Sequence, residues 1–169
     1  ILTNIANLDY DAIFLPGYYE AGGLIIKQAR EMGIVQPILG PDGFANSTLV
    51  ELAGADNVDN VFYASHFTPN SEDPKVQDFL AAFEAEYGKP ADSFAALAYD
   101  AAQLVFDAIA NADSTDPQAI TDALAATEDF EGVTGTFSFD ENHNPIKSAF
   151  VIELQDGVEV GNSVVEPAK

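Results

Sequence analysis

The sequence contains no cysteine, only two histidines, and six basic residues in 169. The missing cysteine excludes disulfides, thiolate nucleophiles and thiolate metal sites. It does not fix the compartment. The scarcity of bases, set against 28 acids, leaves a net charge of −22. A surface so acidic repels phosphate backbones and anionic membranes, which excludes a nucleic-acid partner and implies a well-solvated surface. No apolar run approaches the ~20 residues that a membrane span needs. No Gly-x-x-x-x-Gly-Lys run exists to cradle phosphate, and no Gly-x-Ser-x-Gly elbow to carry a nucleophile. His66 and His143 lie far apart, and His143 sits in the polar turn Asp140-Glu141-Asn142-His143-Asn144. Residues 111–122 carry Asp113, Asp116 and Asp122 but lack the glycine and terminal glutamate of a calcium loop. Neither a metal nor a cofactor is expected.

What is present is a core. Apolar residues make up 47% of the chain and include twelve Phe and six Tyr. The length suits one large or two small domains. Ile1, Leu2, Ile5 and Leu8 have helical spacing and read as the tail of a helix that begins before the chain does. Ala12-Ile13-Phe14-Leu15 is continuously apolar, the pattern of a strand covered on both faces. Ala21, Ile25, Ala29 and Met32 form one helical face, stopped by Gly33. Pro37-Ile38-Leu39 is a second strand. Asn46 caps a short helix closed by Gly54, and Val61-Phe62-Tyr63-Ala64 is a third strand. This β-α-β-α-β alternation predicts a doubly wound, parallel-sheet α/β lobe. Asp73-Pro74 then opens a helix ended by Gly88, with a stripe of Val76, Phe79, Leu80, Phe83 and Tyr87. Asp92 or Ser93 opens a long helix with a predicted core stripe of Phe94, Leu97, Ala98, Ala101, Leu104, Val105, Ala108 and Ile109. Asp116-Pro117 opens a shorter one. Alternation returns at Thr136–Phe139 and Phe150–Leu154, and Asp156-Gly157 signals a carboxy-terminal β-hairpin.

Ligands of an open α/β sheet bind beyond the carboxyl ends of its strands. Two turns occupy that place, Gly17-Tyr18-Tyr19-Glu20 and Gly40-Pro41-Asp42-Gly43, and one βα unit separates them. They offer aromatic faces and a carboxylate, which suit an ammonium group beside an apolar body. Each also has a structural reading. Gly-Pro-Asp-Gly is common turn chemistry. Tyr18 and Tyr19 can pack on a helix, Glu20 can favour a helix N-terminus, and Phe94 can belong to the core. A carboxylate-based hydrolase would need paired acids on one cleft, and only Asp42 with Glu20 is on offer, so no enzyme is expected.

Gly17-Tyr18-Tyr19-Glu20-Ala21-Gly22-Gly23, Ile26-Lys27-Gln28-Ala29-Arg30, Gly40-Pro41-Asp42-Gly43-Phe44-Ala45-Asn46, Phe94–Ala102 and Gly135-Thr136-Phe137-Ser138-Phe139-Asp140 together resemble the branched-chain amino-acid-binding proteins of bacterial ABC transporters. The resemblance implies a type I periplasmic-binding fold, two α/β lobes joined by a multi-strand hinge and closing on ligand. It implies that Tyr18 and Phe94 line the side-chain pocket and that Asp42 receives the ligand ammonium. Well-known members carry Glu where Asp42 stands, so the carboxylate here is one methylene shorter. Chains of the family are longer, which makes this one a carboxy-terminal part. Residues 1–66 and 140–169 are then expected in the ligand-binding lobe, with crossings near 64–68 and 132–144. Residues 67–139 belong with the other, mostly absent lobe and should expose apolar stripes, so the piece alone is expected to dimerise or swap elements. The implied partners are an amino acid, leucine among the candidates, and a membrane permease. The implied location is periplasmic or extracellular, with lipid anchoring through an absent amino terminus. The alternative is the ligand-binding domain of a sensor or receptor for amides or other amino-acid-like solutes.

Overall fold

A computed structural model of the chain describes residues 1–167. In chain order its elements are α1 (Leu2–Ile5), β1 (Ile13–Phe14), α2 (Tyr19–Glu31), β2 (Ile38–Gly40), α3 (Thr48–Ala53), β3 (Val61–Ser65), α4 (Pro74–Tyr87), α5 (Ser93–Ala112), α6 (Pro117–Ala125), β4 (Phe130–Gly132), β5 (Gly135–Phe139), β6 (Pro145–Ile146), β7 (Ala149–Gln155) and β8 (Val158–Val165). They fall into two compact units. The first is Ile1–Ser65 with Phe150–Val165, and the second is His66–Ala149 with the stretch from Glu166.

The first unit is built on a sheet of order β1-β2-β3-β7-β8. β1, β2 and β3 run parallel, with Ile13 beside Ile38 and Ile38 beside Val61. β7 joins β3 antiparallel, from Val61–Leu154 to Ser65–Phe150. The β7–β8 hairpin turns at Asp156 and Gly157, with φ of +50° and +81°, the left-handed pair that a two-residue hairpin turn requires. One sheet face, with Ile38, Val61, Tyr63, Ile152 and Leu154, joins Ile26, Ala29, Phe44, Leu49 and Ala53 in a single core. Arg30 closes the end of α2 by donating to the carbonyls of Ile34 (2.7 Å), Gln36 (3.0 Å) and Asp59 (2.9 Å). Burial lowers its pKa, and the Asp59 charge opposes that shift.

The expectation of strands covered on both faces needs correction. Phe14 is 66% exposed and Leu39 40%. Successive right-handed crossovers that step in one direction along a sheet place their helices on one face. α2 and α3 accordingly bury Ile38 and Val61 and leave the row of Phe14 and Leu39 open. α1 also stops at Ile5, short of Leu8.

The second unit joins α4, α5 and α6 to the short sheet β4-β5-β6. Its helix starts are those the sequence announces. Asp73 accepts from the Lys75 N–H (2.8 Å), Asp92 from the Ala95 N–H (2.8 Å), and Asp116 from the Gln118 and Ala119 N–H groups (3.0 and 3.1 Å). Gly88, with φ of +67°, ends α4. Phe67, Val76, Phe79, Ala91, Ala96 and Val133 form the core. The core face of α5 is corrected from the predicted stripe to Ser93, Ala96, Asp100 and Ala108, while Phe94 and Val105 are exposed. Small residues permit close approach there, and Asp100 brings its own hydrogen-bond partners. α5 is also long and apolar enough to cross a membrane, by length and composition, with 22% of the apolar window buried. Its apolar run is interrupted by Asp100, Gln103 and Asp107. β4 and β6 carry no sequence pattern that foretold them. Residues 140–149 lie in the second unit, where β5 and β6 pair through Ser138–Ile146 and Phe139–Pro145, and not with the carboxy-terminal strands.

Candidate functional site

The site in the first unit grows from the ends of β1 and β2. Because the two strands are parallel, their carboxyl ends open on one edge of the sheet. Leu15 extends the pairing by donating to the Leu39 carbonyl (2.9 Å). The chain then turns through Pro16 and Gly17, and Tyr18 is the extended residue before α2. After β2, Asp42–Phe44 form a single 3-10 turn, in which the Ala45 N–H donates to the Asp42 carbonyl at 3.0 Å.

Phe44 holds that turn in place. Its side chain is fully buried. A Cβ built on Gly22 would lie 2.7 Å from Phe44 Cε1, and one on Gly40 2.5 Å from Phe44 Cε2. The ring therefore occupies a slot that exists because both positions are glycine. Gly43 serves a second close approach. A Cβ there would lie 2.6 Å from the Gly17 carbonyl oxygen and 3.0 Å from Tyr18 Cδ1. The Tyr18 ring thus lies against the residue that follows Asp42. Tyr18 remains 63% exposed, and Asp42 is exposed as well. Among the described residues no donor engages the Asp42 carboxylate. The edge presents an exposed carboxylate and an exposed tyrosine, the residue types that a cation on an apolar body can use. Glu20 is exposed in the first turn of α2.

Phe94 belongs to the second unit. It is the second residue of α5, beside the buried Ser93, and is 38% exposed. Tyr18 and Asp42 therefore share one edge, and Phe94 is carried by the other unit. That second unit also has a groove of about 880 Å3 lined by Phe79, Phe83, Tyr87, Tyr99, Gln103 and Phe130 among others. None of Tyr18, Asp42 and Phe94 lines it. Among the described residues, no three His, Asp or Glu side chains gather as a metal ion would require.

Sequence reasoning missed two devices. One is the Phe44 slot. Its signal was the aromatic that directly follows Gly-Pro-Asp-Gly. The other is Asp100, 3% exposed in the second unit. Its Oδ1 accepts from the Val133 N–H (2.8 Å), and its Oδ2 accepts from the Thr134 N–H (2.8 Å) and hydroxyl (2.6 Å). Val133 and Thr134 are the two turn residues between β4 and β5, so one carboxylate satisfies both of their donors. A charged residue inside an apolar helical run was the available signal.

Comparison with known proteins follows the same lines. Residues 1–159 match the family model described as periplasmic binding protein. The branched-chain amino acid transporter substrate-binding protein LivJ from Streptococcus pneumoniae, solved in complex with isoleucine, is 42% identical with a TM-score of 0.87. The match covers 98% of this chain and 47% of that one. The leucine-binding protein LivK from Thermotoga maritima is 32% identical with a TM-score of 0.88, over 98% of this chain and 47% of that one. The leucine-, isoleucine-, valine-, threonine- and alanine-binding protein of Pseudomonas aeruginosa is 28% identical over 83% of this chain and 37% of its own length. The chain spans less than half the length of these relatives.

Proposed function

This chain belongs to the periplasmic binding protein family, and from that premise we propose that the whole protein is the solute-binding component of an ABC importer for branched-chain amino acids. Its α/β layering is part of the type I fold of that family. The observation that carries the reading is the shared strand-end edge, where Asp42 is exposed and the Tyr18 ring lies against Gly43, the residue that follows Asp42.

Asp42 receives the ligand ammonium through a charge-assisted hydrogen bond worth about 1.5–3 kcal/mol. The aliphatic side chain is buried against Tyr18 and Phe94, and full burial of such a chain is worth about 1.5–3 kcal/mol. Ile1–Ser65 with Phe150–Val165 serve the ligand-binding lobe, and His66–Ala149 serve the other. Capture involves no chemical step, so the protein is not an enzyme. Ligand bound by both lobes favours the closed state, which the permease recognises. The protein works outside the cytoplasmic membrane, held there by a lipid anchor or free in a periplasm. The piece alone pairs with a second copy through the exposed apolar face of α5.

The test is calorimetric titration of the whole protein with isoleucine, leucine, valine, short amides and benzoate, repeated with Asp42→Ala. Binding confined to the aliphatic amino acids and weakened at least tenfold by Asp42→Ala is the expected result. Binding of amides alone would move the protein to the sensor class of solutes. An unchanged affinity in the variant removes Asp42 from the site.

A further inference from the structure

The chain passes between the two units at Ser65–His66, at Ala149–Phe150 and at Val165–Glu166. On the side of the first unit, Ser65 and Phe150 are the last pair of the β3–β7 ladder. On the side of the second unit, Lys147 is tied down. Its ammonium donates to Thr134 Oγ1 at 2.7 Å and lies 4.9 Å from the centre of the Phe137 ring. The Thr134 hydroxyl in turn donates to Asp100 Oδ2 at 2.6 Å. Gly132 leaves the space for that carboxylate, since a Cβ there would overlap it. Ser148 donates to Glu166 Oε2 at 2.9 Å, which joins the second passage to the third.

We infer that Lys147, Thr134 and Asp100 form a positioning network that ties the passage at Ala149–Phe150 to α5, the helix that presents Phe94. The inference rests on the proposed ligand role of Phe94. Every group in the chain is committed: the ammonium donates, the hydroxyl both accepts and donates, and the carboxylate accepts three times. Only Ser148 and Ala149 lie between the anchored Lys147 and the laddered Phe150. A change in the path of the chain between units is therefore taken up over those two residues, close to the node that holds α5. Asp100 sits on the same helix as Phe94, under two turns further along. Phe94 and the end of the passage are thereby set from one point, and loosening that point moves an aromatic wall of the ligand site without touching it.

The test uses the whole protein and three variants: Lys147→Met, which keeps the stem over Phe137 and loses the donor, Lys147→Arg, which keeps a donor, and Thr134→Val. Two readouts are taken, the isoleucine dissociation constant and amide hydrogen exchange at Ser148–Phe150. Lys147→Met and Thr134→Val are each expected to weaken isoleucine binding about tenfold and to speed exchange at Ser148–Phe150, with Lys147→Arg restoring most of both. The melting temperature of Lys147→Met is expected to stay within about 4 °C of the parent. Unchanged exchange at Ser148–Phe150 overturns the anchor. Faster exchange with unchanged affinity overturns its link to the ligand. A parent protein that binds no amino acid refutes the ligand class, and exchange alone then decides whether the anchor stands.

Discussion

The Phe44 slot makes a prediction whose size follows from the packing. Phe44 is fully buried, and removing a buried Phe side chain costs about 3–5 kcal/mol. Gly40→Ala perturbs the same place from the other side. Its Cβ would lie 2.5 and 2.7 Å from Phe44 Cε2 and Cγ, where a ring cannot yield as the end of a flexible chain does. Overpacking of that kind costs about 1–3 kcal/mol. Were the two sites independent, the double variant would lose about 4–8 kcal/mol, since independent changes add. They are not independent. Once the ring is gone, the methyl introduced by Gly40→Ala enters the space it vacated. The cost of Gly40→Ala should then fall to near zero in the Phe44→Ala background, a coupling of about 1–3 kcal/mol, within the range found for residues in contact. Urea unfolding of the four proteins, followed by far-UV circular dichroism and extrapolated linearly, measures it. Costs that add to within about 0.5 kcal/mol would refute the slot as described.

Two further outcomes follow from other parts of the structure. Asp116→Ala removes a carboxylate that accepts two N–H groups at the start of α6, and should lower stability by about 0.5–2 kcal/mol in the same urea experiment. Tyr63 donates to Glu159 at 2.8 Å, and burial, then the Glu159 charge and hydrogen bond, push its pKa well above the ordinary 10. A raised pKa contributes stability that is complete below pH 10 and is lost as the unfolded chain ionises above it. Stability should therefore fall above pH 10 in the parent and fall less steeply in Tyr63→Phe, as read by thermal melts at pH 9, 10 and 11.

Local chemistry was the most legible part of the sequence. Asp73-Pro74, Asp116-Pro117, Gly88 and Asp156-Gly157 each act within a few residues of themselves, and each appears where its chemistry places it. The shared edge of Tyr18 and Asp42 was legible too, because it needs only strand direction and one crossover. The face of α5 was not. Its apolar residues outnumber the positions that can be buried, and the choice among them is made by Val133 and Thr134, whose N–H groups recruit Asp100 from more than thirty residues away. The open row of Phe14 and Leu39 escaped for a related reason. A run of apolar residues states that a strand can be covered twice, while the order of crossovers decides which face α2 and α3 cover. Phe44 reads as one more core aromatic until Gly22 and Gly40 are seen on either side of its ring.

The pairing of Ser65 with Phe150 has a consequence for the order of assembly. Everything from His66 to Ala149 is an insertion between two adjacent strands of one ladder. As the chain emerges from the ribosome, β1, β2 and β3 are complete long before β7 exists, and β3 waits as an unpaired edge. Bringing two distant segments together costs entropy that grows with the logarithm of the intervening length. An insertion that folds before β7 emerges shortens the effective loop that remains to be closed. Defects that slow the folding of the insertion would therefore surface as slow completion of a sheet to which it contributes none of the residues in the β3–β7 register.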